Sequence, residues 1–523
     1  MPPTLTYPGV YIEELPSGVH TITGVATSIA AFAGWAPQGP VTEAVMVESW
    51  SDFARQFGGL SSGNYLGYAV NQFFGNGGQQ AYIVRLVATA ADTPTAAAFA
   101  ATASGIVSTL TLFARSPGLW GNNLKITVTP STLDPTRFSV LVQLMSGGST
   151  TTLENFSNLS VAPTDPQYVV TVIDSDSNYI TFLDPTISPP PPPPPPGLPG
   201  VIASGNLGTS TAGADGDVLV PATTGNFELA LLSATGGVGI NLLDRVSIFN
   251  LLCVPGEIDP PTVKTLQTYC AGQRAFYIVD APQLATTAGL RASGPAGTGG
   301  VSVIGPDAPN AAYYFPWVQA PDPLASNRPA LFPPCGFVAG VYAATDTSRG
   351  VWKAPAGVDA GLSSELGLQY VLTDLENGDL NIQAINCLRE FKVYGDVVWG
   401  ARTLAGNDQA GSQWKYVPIR RLALFLETSL YDGTQWVVFE PNDERLWSQI
   451  RLNVGAFMQG LFLQGAFQGT SPQQAYFVKC DGENNPQASI DMGIVNILVG
   501  FAPLYPAEFV VIQIQQMAGQ TQS

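Results

Sequence analysis

At 523 residues, 45% of them hydrophobic, the chain is too long for one ordinary core and too apolar to be mainly disordered, so two to four domains are expected. Its formal charge of −18, from 39 acidic and 21 basic residues, argues against a nucleic-acid role, because phosphate binding needs clustered Lys and Arg. Charged residues make up only 11%, well below the roughly 25% of ordinary soluble domains, which implies a broad neutral surface suited to meeting other subunits. On composition alone a compact secreted β-protein fits nearly as well.

The first twenty residues form an N-terminal arm, 1–20, whose short strand-like run Val10, Tyr11 and Ile12 is too short to make a sheet by itself. Thr21 to Trp35 reads as a strand. Ser49 opens a helix stopped by Gly58-Gly59, a second helix covers about Tyr65 to Phe74, and Ala81 to Val87 follows as a strand. This is α/β material.

From about Ala91 to Thr235 the character changes to Ser/Thr/Gly-rich β segments such as Leu124 to Val128, Ser139 to Met145 and Tyr179 to Leu183. That stretch holds ten acidic residues against three basic ones and reads as an inserted, solvent-facing β domain, 91–235. Eight consecutive prolines, Pro189 to Pro196, must run as polyproline II for roughly 25 Å and read as a stiff spacer, with a docking site for a proline-recognising partner as the alternative. A strand over Val246 to Val254, a helix over Pro261 to Ala271 and a strand over Ala275 to Val279 then suit a parallel βαβ unit. The insertion therefore interrupts one α/β domain, 21–90 plus 236–349.

A C-terminal domain spans 350–502. Its best-defined element is a helix from about Asp443 to Phe467, capped by Asn442, with Leu446, Ile450, Val454, Phe457 and Leu461 on one face. Gly455, Gly460 and Gly465 weaken it and suggest close backbone approach. The C-terminal arm, 503–523, contains a strand over Ala507 to Ile514, centred on Phe509, Val510 and Val511, that again needs a partner. The fold class is α+β or α/β, multidomain, with mixed sheets, flanking helices and extended terminal strand arms.

Little in the sequence carries chemistry. The one histidine, His20, lies in the N-terminal arm, so a Ser-His-Asp triad or a histidine-ligated metal must run through it or not exist. Gly59-Leu60-Ser61-Ser62-Gly63 matches a nucleophile elbow in pattern but follows a helix, and reads as an interhelical loop. No phosphate-binding loop occurs, Asp174-Ser175-Asp176-Ser177-Asn178 lacks the glycine and distal glutamate of a calcium loop, and the five cysteines are odd in number with no C-x-x-C pair. No enzyme, cofactor or metal is expected. The cysteines read as reduced, buried residues of a cytoplasmic protein, and MPPTLTYPGVYIEE lacks the features of an export signal. The nearest approach to a membrane span, Ile494 to Ile512, is broken by Asn496, Pro503, Pro506 and Glu508, so no membrane insertion is expected; two strands and a turn describe it better. The one notable basic group is Lys415, Arg420 and Arg421 with Arg402 upstream, which reads either as solvated or ion-paired residues or as a face for an acidic partner.

Several ordered blocks carry a family resemblance. GFVAGVYAATDTSRGVWKAPAG (Gly336 to Gly357), VVWGARTL (Val397 to Leu404), GTQWVVFEPNDERLW (Gly433 to Trp447) and YPAEFVVIQI (Tyr505 to Ile514) closely resemble the C-terminal half of contractile tail sheath proteins. YPGVYIEE (Tyr7 to Glu14), TSIAAFAGWAPQGP (Thr27 to Pro40), Ser49 to Gly78 and SPGLWGNNLKI (Ser116 to Ile126) resemble sheath segments at the front of the chain. The resemblance implies a subunit that polymerises around an inner tube and contracts without consuming nucleotide. It implies partners in other copies or paralogues of itself, the tube, and baseplate and cap proteins, with assembly in a bacterial cytoplasm as part of a phage tail or a phage-tail-like particle. It also implies that the two arms thread into neighbouring C-terminal domains, and that the basic group Arg402, Lys415, Arg420 and Arg421 contacts the tube. The insertion matches no sheath motif. The rival expectation is an extracellular β-rich adhesin or surface-layer-like protein.

Overall fold

The computed structural model describes residues 20–93, 95–184, 193, 196–221, 225–233, 237–295 and 302–513. Val10, Tyr11 and Ile12, and most of the polyproline run, lie outside the described residues. The chain divides into a larger unit, Ala26–Ser348 with Pro355–Val417, and a smaller one made from Met1–Val25, Arg349–Ala354 and Pro418–Ser523.

The larger unit is built on an eight-stranded sheet. Six parallel strands form its middle, in the spatial order Ala81–Leu86, Ala30–Trp35, Leu251–Cys253, Phe276–Asp280, Ala311–Phe315 and Ile385–Phe391. An antiparallel strand closes each side, Val45–Val47 beyond Ala81–Leu86 and Gly395–Val398 beyond Ile385–Phe391. The middle strands read as continuous apolar runs because helices cover both faces of a parallel sheet. All six residues of Ala30–Trp35 and all five of Phe276–Asp280 are buried. Ala30 pairs with Leu251 across the whole insertion, so one core draws on chain from both sides of it.

Local sequence accounts for the connecting helices. Ser49 accepts the Asp52 N–H at 3.1 Å and caps Trp50–Phe57, which Gly58 stops at φ +87°. Asp259 accepts the Thr262 N–H at 3.0 Å and caps Pro260–Gln273, the crossover between two parallel strands. The expected strand Val246–Val254 shrinks to Leu251–Cys253. Gly239–Arg245 forms a 3-10 segment, and the Asn250 side chain takes the Ile29 N–H at 3.0 Å just where the ladder begins. The expected strand Thr21–Trp35 starts only at Ala30, because residues 20–25 belong to the other unit.

The insertion carries sheets of its own. Ala203–Asn206, Leu124–Pro130, Phe138–Ser146 and Ser149–Leu159 make a four-stranded antiparallel sheet, and Ser104–Val107, Leu110–Ala114 and Ile180–Thr181 a three-stranded one. Leu124, Ile126, Val128, Phe138, Val140 and Val142 alternate into a separate apolar core. The region expected as a single body, 350–502, is divided. Residues 355–417 stay with the larger unit because Ile385–Phe391 and Gly395–Val398 extend its sheet, while the smaller unit begins at Pro418.

Burial raises the pKa of three carboxyls in the larger unit, Asp280, Asp396 and, most strongly, Glu257. Glu257 is fully buried; its Oε1 accepts the Asp259 N–H at 2.7 Å and its Oε2 has no partner. Burial pushes its pKa up to about 8, with Glu228 and Asp259 adding repulsion. The fold therefore holds Glu257 protonated. Below the ordinary carboxylate range this has no cost, and the penalty grows as pH rises towards 8. Glu257→Gln keeps the accepting oxygen and removes the charge. It is expected to raise stability by on the order of 2 kcal/mol at pH 8 and to change it little at pH 4, in denaturant melts at both pH values.

Candidate functional site

The smaller unit folds around the helix Glu444–Leu463. Asp443 is its cap, accepting the Leu446 N–H at 3.0 Å, rather than the expected Asn442. Asn442 instead accepts the Trp447 indole N–H at 2.8 Å and donates to the Ile494 carbonyl at 3.0 Å, so it ties the helix start to a distant loop. Leu446, Ile450, Val454 and Leu461 are buried as their spacing predicts, and Phe457 packs partly buried beside them. The helix ends at Leu463, and Gly465 turns the chain at φ +79°. Gly455 and Gly460 do not mark close backbone approach: a Cβ at either would meet nothing within 4 Å.

Against this helix lies a two-stranded antiparallel sheet, Tyr476–Lys479 with Leu498–Phe501. Tyr476, Val478, Val499 and Phe501 pack on the helix core, while Phe477 and Leu498 face outward. A sheet of two strands is marginal alone. Among the described residues no third strand joins it, so each strand keeps one edge of N–H and C=O groups without a strand neighbour. The long connection between the strands is held by asparagines. Asn485, 1% exposed, accepts the Asn496 N–H at 2.6 Å and donates to the Asp481 and Asn496 carbonyls, and Asn484 donates to the Lys479 and Asn496 carbonyls.

Both arms are rooted in this unit. Ile22 is buried in its core, His20 stacks on Trp436 at 4.2 Å, and the Val25 N–H donates to Ser429 Oγ at 3.2 Å. The chain is seated closely there. A Cβ on Gly433 would fall 2.6 Å from an Ile22 methyl, and one on Gly24 2.8 Å from the Phe425 ring. At the other end Phe467 bridges to Pro503, after which the chain forms no strand through residue 513. The expected strand Ala507–Ile514 is thus absent from its described part, since no sheet edge meets it. Phe509, Val510, Val511 and Ile512 stand 75%, 81%, 80% and 79% exposed.

The four basic residues do not share one environment. Arg402, in the larger unit, is 1% exposed and donates to the Asn381 carbonyl at 2.8 Å and to Asp408 at 3.0 Å. Lys415 donates to the same Asp408 oxygen at 2.7 Å, and this bond, with Arg402 behind it, holds the Asp408 carboxyl below its usual range. Arg402 and Lys415 therefore pin the loop between them. Arg420 and Arg421 lie in the smaller unit, on the helix Val417–Gly433; Arg420 pairs with Glu427 at 3.2 Å and Arg421 is 3% exposed. Arg402 and Arg421 are thus buried, while Lys415 and Arg420 are partly exposed.

Other sequence candidates take structural places. Gly59 to Gly63 joins two helices, and Asp174 accepts the Thr181 hydroxyl and the Phe182 N–H, each at 2.8 Å. No helix of the described residues is long and apolar enough to cross a membrane.

Residues 409–517 match the phage tail sheath C-terminal domain family. The tail sheath protein of Vibrio phage KVP40 is 28% identical over 169 residues, 32% of this chain and 24% of that protein. A putative prophage major tail sheath protein of Pseudomonas aeruginosa is 26% identical over 278 residues, 51% of this chain and 66% of that one. The matches thus span less than two thirds of either relative. The fold is similar to that of the contracted sheath complex of PVC, an extracellular contractile injection system, with TM-score 0.58, 24% identity and 98% of each chain covered. The chain is thus similar to contractile tail sheath proteins, in sequence over parts of its length and in fold over nearly all of it.

Asn485 was invisible as a functional residue in the sequence, yet it fixes the open-edged sheet. Asn485→Ala is expected to lower the stability of the smaller unit by about 2 kcal/mol and to deprotect the Asn496 amide in hydrogen exchange. Unchanged exchange at Asn496 would assign the connection to other contacts.

Proposed function

We propose that the chain is a structural subunit of a contractile sheath. It polymerises around an inner tube and contracts to drive that tube through a target envelope, using energy stored in the extended lattice. The observation that carries this is the co-location in one unit of both arm roots and a two-stranded sheet with open edges. An arm of one copy that adds to a neighbour's edge gives directional main-chain bonding, and head-to-tail contacts of this kind propagate into helices or stacked rings. Contraction is then a passage from a kinetically trapped lattice to a more compact one of lower free energy. No phosphate-binding loop occurs in the sequence, in keeping with contraction that consumes no nucleotide.

The partners in this reading are other copies or paralogues, the tube, the baseplate and the terminal cap. Sheath and baseplate assemblies are both among the structural relatives, which supports self-assembly and baseplate association. Assembly in a reducing cytoplasm fits five buried cysteines, all free. An adhesin is not favoured, because it gives no reason for arms and open edges in one unit.

Deleting residues 1–16 is expected to leave a folded, soluble protein by circular dichroism that no longer polymerises. Normal tubes from the truncated chain would show that the N-terminal arm does not link subunits.

A further inference from the structure

The larger unit holds a feature that assembly into a sheath does not use. A cleft of about 210 Å³ opens where the insertion meets the sheet domain, walled on one side by residues 38–40, 43, 45, 55 and 56 and on the other by 115, 116, 120, 175 and 177–179. Both walls belong to the same unit. They are tied where the Gly39 N–H donates to Ser116 Oγ at 3.0 Å.

Donors dominate the lining. Arg115 is partly buried, gives one Nη to the Asp174 carbonyl at 2.9 Å, and has no carboxylate partner among the described residues. In a chain with 39 acidic residues against 21 basic ones, that cation is free for another anion. Trp120 lies five residues further along, and its indole N–H is buried without a partner. Arg55 adds a second positive charge from the opposite wall, shared with Asp52 at 2.6 Å. The Gly39 carbonyl is itself held at 2.6 Å by Arg85, 1% exposed, whose other Nη has no partner and whose charge Asp215 offsets in part. Against these stands one acidic lining residue, the exposed Glu43. Glu154, close enough to act on Tyr179, is already engaged, accepting the Ser177 hydroxyl at 2.6 Å and the Asn178 N–H at 2.8 Å.

A guanidinium and an indole only donate, so a ligand must bring acceptors. Water can meet an N–H but leaves the charge of Arg115 uncompensated, whereas an oxyanion meets both, through the stronger, charge-assisted kind of hydrogen bond. Gln38 and Gln56 add amides that both donate and accept, which suits hydroxyl groups. A cavity of about 150 Å³ takes benzene, so 210 Å³ suits a body of roughly eight to ten non-hydrogen atoms.

We propose that this cleft binds a small hydroxylated oxyanion, a carboxylate or phosphate monoester on a short polyol body, with Arg115 and the Trp120 indole holding the charged head. The bound molecule bridges the insertion to the sheet domain. The assignment stands independently of the sheath reading.

Saturation-transfer NMR on the full-length protein, titrated with glycerate, glycerol 3-phosphate and glycerol, tests it. At least one of the two anions is expected to bind at least about tenfold more tightly than glycerol, and the tighter of the two identifies the head as carboxylate or phosphate. A smaller preference for both anions, or no binding of any of the three, overturns the proposal. Arg115→Gln is expected to erase the preference, and a preference that survives it overturns the assignment. If that variant fails to fold by circular dichroism, Trp120→Phe, which keeps a ring and removes the N–H, and Arg55→Ala, at a residue whose side chain is 59% exposed, decide instead. Each is expected to weaken the anion several-fold and leave glycerol unchanged, and unchanged anion binding in both overturns the assignment.

Discussion

Four consecutive apolar side chains at three quarters or more exposure, Phe509 to Ile512, set the terms for the rest of the molecule. Apolar and exposed, such a run is a liability in a free monomer, because it can pair with any exposed strand edge. The same unit contains two such edges, on a sheet too small to be self-sufficient. One chain thus carries both an exposed apolar run and, among the described residues, strand edges that lack a strand neighbour. Supplying each from a neighbour satisfies both, and contacts of this apolar, main-chain kind have to overcome the repulsion between copies that each carry a formal charge of −18.

The division of labour between the two units follows from the same constraint. The larger unit has a sheet of eight strands, large enough to carry a core of its own, and its insertion has a separate core. The smaller unit holds the roots of both arms. In the proposed sheath, linkage between subunits therefore runs through the smaller units, and a lattice change that carries the larger units along need not break it.

Much of this was legible in the sequence where local chemistry decides the outcome. Ser49 with Gly58 marked the helix Trp50–Phe57, and the spacing of Leu446, Ile450, Val454 and Leu461 marked the buried face of the long helix. Failures came where distant chain decides. Thr21 to Val25 looked like the start of a strand, but Ile22 is drawn into a core whose other members lie more than 300 residues away. Asn442 looked like a cap, but the Trp447 indole competes for its side-chain oxygen and Asp443 takes the role. For Arg402 the sequence left an ion pair and a partner-facing surface both open, and only the fold shows Asn381 and Asp408 gathered around it. Asn485 carried no local signal, because a hydrogen-bonded clasp becomes visible only once its surroundings are placed.

The most direct test of the account is cryo-electron microscopy of polymers grown from the purified full-length protein, with helical reconstruction at side-chain detail. The account predicts hollow tubes or stacked rings in which the two-stranded sheet Tyr476–Lys479 and Leu498–Phe501 gains a strand from another subunit, and in which Phe509–Ile512 is covered by a neighbour. Tubes in which the sheet stays two-stranded and the run stays solvent-exposed, or monomers under every condition, would contradict it.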